Sequence, residues 1–415
     1  MPGAEPRETR GKTMAMITQV GGSYPVLDAD PFSRGNLTDP YPLQEAIRQA
    51  GPIVWLKPYG IWATARHEHV QAILNDHKTF CSSAGVGLSD FRKEKPWRPP
   101  SLLLEADPPA HDRPRRILTR ILSPIAVRNM RESFARYANG LADKLVHQGS
   151  FDAVMELAEV YPLNVLADAV GIPQGERKNI IRYAAIGFAT FGPRNWIWDE
   201  VMPGFPKLHA WVMANCERDV LIPDGLGAQI YAAADTGEIT VDEARLLVRT
   251  FLSAGVDTAV NGIGNMMLAF ARFPEQWGLL RDDPSLARAA FEEALRYESP
   301  IQMFFRTTTR ETDVAGVKLD AGQKVVLSLG GANRDPRKWA EPARFNSGRS
   351  TAGHVAFGSG VHACLGQMFA RLEGEAILTA FAERVHRFEL VGEPKPSLNN
   401  TSRGYASIPM KVARE

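Results

Sequence analysis

The chain has 415 residues, 44% hydrophobic and 23% charged, and 48 Lys+Arg against 47 Asp+Glu leave a formal charge of +1. That composition describes a soluble globular chain and excludes a disordered, collagen-like or disulfide-scaffold protein. It also excludes a global field that would gather nucleic acid or an anionic membrane surface, so a charged partner has to be met by a local patch.

Residues 1–27 show no sustained periodicity and read as a mobile tail, and residues 28–415 as one domain. Residues 43–49 have helical spacing, and 53–56 and 61–65 are short strand-like runs separated by Pro58 and Gly60, which predicts a small hairpin. From residue 112 to about 272 the apolar spacing is helical, broken by Pro124, Gly149, Pro162, Pro173 and Pro193. Within that region Thr240-Val241-Asp242-Glu243 is a capping-box pattern that opens a helix running to Phe273, where Pro274 ends it. At ~1.5 Å per residue it would cross nearly 50 Å, roughly the width of a domain of this size. Strand chemistry returns only within 305–329, among Gly and Asp turn signals. The expected class is therefore mainly α, a helix-rich single domain with small β-sheets.

No apolar run approaches the ~20 residues of a membrane span, and the opening residues lack a signal-peptide core. The three cysteines, Cys81, Cys216 and Cys364, form no CxxC pair, which argues against a disulfide framework or a structural zinc cluster and for a reducing compartment, the cytoplasm. Cys81 and Cys216 read as small buried hydrophobes. Cys364 has a different context: Phe357-Gly358-Ser359-Gly360-Val361-His362-Ala363-Cys364-Leu365-Gly366 is a Gly-rich loop feeding a long amphipathic segment. Loop glycines and a helix start would both favour a thiolate. His362, two residues upstream, is poorly placed to activate a nucleophile, so a thiolate metal ligand fits better. One thiolate with no other ligand nearby implies a macrocycle that supplies the remaining donors to iron.

At this point the sequence resembles the cytochrome P450 superfamily, whose haem-ligand signature the Phe357 to Gly366 stretch matches. The resemblance implies the P450 fold over 28–415, haem b (iron protoporphyrin IX), Cys364 as axial ligand, Phe357 near the sulfur, and Gly366 allowing the helix to approach the porphyrin. It makes the helix that carries Ala254-Gly255-Val256-Asp257-Thr258 the one crossing the distal haem face, with Asp257 and Thr258 as the catalytic proton-delivering pair and Gly255 leaving room for O2 or substrate. Glu293 and Arg296, three apart on one helix face, would form a buried pair, with Arg349 as third member. His111 and Arg115, together with Arg306 and His362, would hold the haem propionates.

Beyond the superfamily, the chain resembles a bacterial group that oxidises para-substituted benzoic acids. The similarity runs through residues 80–83, 89–91, 93–101, 246–264 and 304–311. It implies a carboxylate site of Arg98, Ser101, Arg249 and Thr250, with Thr250 replacing an expected serine. Leu104, Phe188, Phe191, Ala254, Ile301 and Phe304 would form the apolar wall, with Ile301 replacing an expected valine. A benzoate needs such a set: a cationic or hydroxyl-rich end, a flat apolar slot, and its para group aimed at the iron. The implied reaction is O-demethylation of a 4-methoxybenzoate-like acid to 4-hydroxybenzoate and formaldehyde.

The implied partners are a small aromatic carboxylic acid, O2, and a [2Fe-2S] ferredoxin with its ferredoxin reductase, since no flavin or nicotinamide fingerprint and no Fe–S cysteine cluster is present. A monomer that binds neither nucleic acid nor membrane is expected. Three alternatives stay open: a hydroxylase of another small hydrophobic substrate such as a terpenoid or macrolide, a non-catalytic haem sensor, and a peroxide-using fatty-acid oxidant.

Overall fold

The computed structural model describes residues 17–18 and 24–413, so most of the expected tail, residues 1–16 and 19–23, lies outside the described residues. Order starts before residue 28, however: β1 (Ile17–Thr18) pairs with β2 (Val26–Leu27), which runs parallel to β3 (Val54–Leu56). Leu27 is fully buried. A two-residue strand is too short to show a period, which is why the sequence hides it.

The Pro58–Gly60 signal holds, with β3 antiparallel to β4 (Ile61–Thr64), Trp55 opposite Trp62 and Gly60 at φ +59°. Together with β5 (Phe80–Cys81), β6 (Met303–Thr308) and β7 (Lys324–Ser328) these strands form a sheet of order β1-β2-β3-β4-β7-β6-β5. The sequence points to late strands only within 305–329; the structure adds β8 (Arg387–Leu390), β9 (Lys395–Leu398), β10 (Arg403–Ser407) and β11 (Pro409–Ala413). Pro396, Gly404 and Pro409 fall in or at these strands and mask them, because strand pairing rather than local propensity holds them.

Helix dominates the rest. The longer helices include α1 (Tyr41–Ala50), α2 (Asp112–Ile121), α3 (Arg131–Gln148), α4 (Val160–Val170), α5 (Lys178–Ala189), α6 (Phe205–Asn215), α7 (Val241–Arg272), α8 (Ala287–Tyr297) and α9 (Gln367–Ala382). The capping box of α7 is complete: the Glu243 amide donates to Thr240 Oγ1 at 3.1 Å and the Thr240 amide to Glu243 Oε2 at 2.8 Å. The main core wraps α7, whose buried residues include the polar Arg249, Asp257, Asn261 and Asn265. So many buried polar groups on one helix are costly unless each is bonded or functional.

On α8, Arg296 donates to Glu293 through Nε at 2.6 Å and Nη2 at 2.8 Å, and both residues are fully buried. Arg349 Nε adds a bond to Glu293 Oε1 at 3.2 Å, as expected of the third member. Arg296 Nη1 also donates to the Asn333 and Pro342 carbonyls, each at 2.9 Å, which ties α8 to the segment leading to the Cys364 loop. Among the described residues no helix is long and apolar enough to cross a membrane.

Candidate active site

Gly358 and Gly360 both have φ +69°, and a Cβ at Gly360 would lie 2.7 Å from the Leu74 carbonyl oxygen, so that turn admits only glycine. The Cys364 amide closes the loop by donating to Phe357 O at 2.8 Å. Cys364 then lines a cavity of about 270 Å³, together with Phe357, Gly366 and the α7 residues Ala254, Gly255 and Thr258. A Cβ at Gly366 would project into open space there. Burial pushes the Cys364 thiol up, while the Gly366 and Gln367 amides and the Arg115 and Arg371 guanidiniums pull it down. The two amides at the helix start favour the thiolate, as expected, but burial outweighs them, so a thiolate here requires a cation bonded to it.

At one end of the cavity the expected basic cluster assembles. Arg115, Arg306 and His362 line it, and His111 stands behind, its ring 4.7 Å from that of His362 and its buried Nε2 without a hydrogen-bond partner. A carboxylate that nothing in the sequence singled out, Asp107, lies 3.5 Å from His362 Nε2. Burial lowers Arg306 to about 10 and also depresses Arg115, His111 and His362. Two guanidiniums and two imidazoles, faced by Asp107 at His362 and by the exposed Asp112 3.4 Å from His111 Nδ1, present donors that a dianion would satisfy. Among the described residues no three His, Cys, Asp or Glu side chains gather to hold a metal, so a metal on Cys364 brings its other donors with it. An iron porphyrin with two propionates meets every one of these conditions.

A smaller cavity of about 80 Å³ adjoins the first and shares Leu104, Phe188, Thr250 and Ala254 with it. Arg98, Ser101, Phe191 and Arg249 line the smaller space, and Ile301 and Phe304 the larger. The ten residues implied by the benzoate resemblance are thus brought together. Phe188 lies in the last turn of α5, which ends at Ala189, and Phe191 in the turn that follows. Their rings meet edge to face at 5.9 Å, and Phe191 and Phe304 are likewise 5.9 Å apart.

The polar end differs from expectation in its hydrogen bonds. Arg98 is engaged by Glu105 through two bonds of 2.8 and 3.0 Å, and Glu105 also accepts from the Ser101 amide at 2.7 Å. Thr250 donates back to Leu246 O at 2.9 Å. Ser101 Oγ accepts from the Leu103 and Leu104 amides, which leaves its proton available to a ligand. Arg249 has no carboxylate at salt-bridge distance among the described residues: it is 4% exposed, bonds the Tyr183 side chain, and its Nη1 is buried without a partner. Tyr183, which the sequence did not single out, lies beside it with its hydroxyl 3.3 Å from His209 Nδ1 on α6.

Asp257 sits behind Thr258 rather than on the cavity wall. Its carboxyl accepts from Asn261 Nδ2 at 3.1 Å, and burial pushes it up to about 7. Thr258 lines the cavity and donates to Ala254 O at 2.8 Å. Gly255 lines the cavity, and a Cβ there would also lie 2.6 Å from the Leu166 side chain on α4, so α4 packs closely against α7 at this position.

Comparison with known proteins agrees with this geometry. The sequence profile of the family Cytochrome P450 matches residues 218–412. Cytochrome p450 CYP199A2 of Rhodopseudomonas palustris is 51% identical over 396 residues, 95% of this chain and 96% of that protein. Vitamin D(3) 25-hydroxylase of Pseudonocardia autotrophica is 32% identical over 362 residues, 86% of this chain and 89% of that one. Among solved structures, CYP109Q5 from Chondromyces apiculatus superposes with a TM-score of 0.79 at 28% identity, covering 94% of this chain and 99% of the other. With half of its residues shared over nearly the full length of one such relative, the chain belongs to the cytochrome P450 family and is a haem-dependent monooxygenase.

Proposed function

We propose that this monooxygenase oxidises para-substituted benzoic acids, removing the methyl group of a 4-methoxybenzoate-like substrate. The observation that carries the reading is Arg249, buried with Nη1 unbonded and no carboxylate at salt-bridge distance among the described residues, at the far end of an aromatic-walled space that opens toward Cys364. A buried guanidinium without a counterion invites a carboxylate. The Ser101 hydroxyl and Tyr183 supply further polar contacts, and Phe188 and Phe191 close over the ring.

Haem, when bound to Cys364 with its propionates at His111, Arg115, Arg306 and His362, supplies the oxidising chemistry with O2. The chain supplies orientation and protons. A carboxylate fixed at Arg249 turns the para substituent toward the Cys364 side, so the encounter becomes effectively unimolecular. Two electrons, two protons and O2 convert the methoxy carbon to a hemiacetal and release water. The hemiacetal then collapses to 4-hydroxybenzoate and formaldehyde. Asp257, near 7 because of its burial, can take up and release a proton at neutral pH, and Thr258 passes it into the cavity. The electrons come from a redox partner, which we take to be a [2Fe-2S] ferredoxin served by a reductase.

The test is product stoichiometry in a reconstituted system. Equimolar 4-hydroxybenzoate and formaldehyde are expected from 4-methoxybenzoate, and consumption of reductant with neither product would defeat the proposal. Replacing Asp257 by Asn is expected to slow turnover by about 100-fold, the size of a lost acid–base contribution. The pH dependence centred near 7 should vanish with it, while benzoate affinity stays close to the parent's. Undiminished turnover would remove Asp257 from the relay.

A further inference from the structure

Asn261 is one helical turn beyond Asp257 on α7 and, among the described residues, is the only partner of its carboxyl. What holds Asn261 is a strand. A Cβ at Gly404 on β10 would lie 1.8 Å from Asn261 Oδ1 and 2.6 Å from its Cγ, so the amide rests against bare backbone. No positive φ demands glycine at 404; the close approach does.

The position of Gly404 is in turn over-determined. Asn265, one turn further along α7, donates to the Arg403 carbonyl at 3.1 Å. The Arg403 amide donates to Pro300 O, and the Gln302 amide to Thr401 O, each at 2.8 Å. At the tip of the β9–β10 hairpin, side chains satisfy the last carbonyls of α5: Asn399 Nδ2 reaches Ala185 O at 2.9 Å, Thr401 Oγ1 reaches Phe188 O at 2.8 Å, and Asn400 Nδ2 reaches Ala189 O at 2.7 Å. Free carbonyls at a buried helix end need such partners. One hairpin therefore supports both the helix end carrying Phe188 and the amide that holds Asp257.

We infer that Asn261, wedged in place by Gly404, is the positioning residue for the Asp257 carboxyl, and that the β9–β10 hairpin is the support that keeps this arm in register with the Phe188 side of the substrate space. The inference rests on Asp257 handling protons, as proposed above. Asn261 stabilises the charged form of the carboxyl by donating to it, and without that bond the acid would hold its proton to higher pH.

The ionisable groups on the surrounding elements are engaged elsewhere. Arg403 and Tyr405 on β10 face Glu298. Glu156, in the short π-helix Ala153–Ala158, accepts from the Asp152 amide, and Asp168 on α4 faces Arg177 and Tyr137. On α8, Glu293 and Arg296 hold each other. None of them bonds Asp257, whose carboxyl burial pushes up and the Asn261 hydrogen bond pulls down.

The experiment follows the infrared carbonyl band of protonated Asp257 in the haem-loaded protein, assigned by its absence in Asp257→Asn. That band is titrated with pH in the parent, in Asn261→Leu and in Gly404→Ala. Gly404→Ala leaves both side chains chemically intact and only displaces the amide; should it fail to retain haem, Asn261→Leu carries the test. Each variant is expected to raise the pH at which the band disappears by about one pH unit, the scale of one hydrogen bond to a charged group. The midpoint of the turnover–pH profile should rise with it, while 4-methoxybenzoate affinity changes less than threefold. A band midpoint at or below the parent's overturns the inference. The proton-handling role of Asp257 fails separately, if Asp257→Asn turns over at the parent's rate.

Discussion

Arg249→Met is expected to weaken 4-methoxybenzoate binding by about 2–5 kcal/mol, the cost of truncating one side of a buried charge pair. In Kd that is roughly thirtyfold to several-thousandfold. The same variant should unfold at an unchanged or higher temperature. The guanidinium is 4% exposed, has no carboxylate at salt-bridge distance among the described residues, and leaves Nη1 unbonded. Its desolvation therefore burdens the fold until an anion arrives. A residue kept for stability would behave the opposite way. Arg98→Ala makes the contrast: it strands Glu105, whose side chain is 1% exposed, so lost affinity there should come with lost stability. A neutral analogue, the methyl ester, separates charge from shape and should bind parent and Arg249→Met alike. Equal affinity of both proteins for the free acid would remove Arg249 as the anchor.

The second large effect is on the fold. Glu293→Gln keeps the shape of the side chain but removes the charge facing Arg296 and Arg349. Arg296 is then left fully buried with only carbonyl partners at Asn333, Pro342 and Arg344. Breaking a buried pair by removing one member costs about 3–5 kcal/mol. The loss should be read as an earlier midpoint in chemical denaturation, followed both by far-ultraviolet circular dichroism and by the haem band. The haem band should go first, because Arg296 anchors the segment that leads into the Cys364 loop. A loss below about 1 kcal/mol would place the pair in the class of surface ion pairs instead.

What the sequence made legible is what it writes locally. The capping box at Thr240 and the stop at Pro274 bound α7 almost to the residue. The Gly358–Gly360 spacing marks the ligand loop because each glycine answers a steric demand at its own position. The i, i+3 spacing of Glu293 and Arg296 shows that they can pair, but only packing shows that they are buried.

What it did not reveal depends on partners far along the chain. Glu105 is an unremarkable acid until its loop folds it onto Arg98, which moves the free charge to Arg249. Tyr183 and Asp107 enter the site through packing of α5 and through a loop that meets the Ser82 and Ser83 amides. Gly404 is one glycine among 35, and nothing nearby in sequence tells that Asn261 rests on it. The hairpin that supports it carries no strand signal in the sequence, since its position comes from contacts with α5, α7 and residues 300–302 rather than from alternation.

The most direct test is optical. Titrating the oxidised, haem-loaded protein with 4-methoxybenzoate should convert its Soret band from the low-spin to the high-spin position at micromolar acid, as a para group displaces water from the iron side. A neutral terpenoid of similar size should leave the band where it was. A terpenoid that shifts the band more strongly than the acid, or a band that does not respond to millimolar 4-methoxybenzoate, would contradict the account.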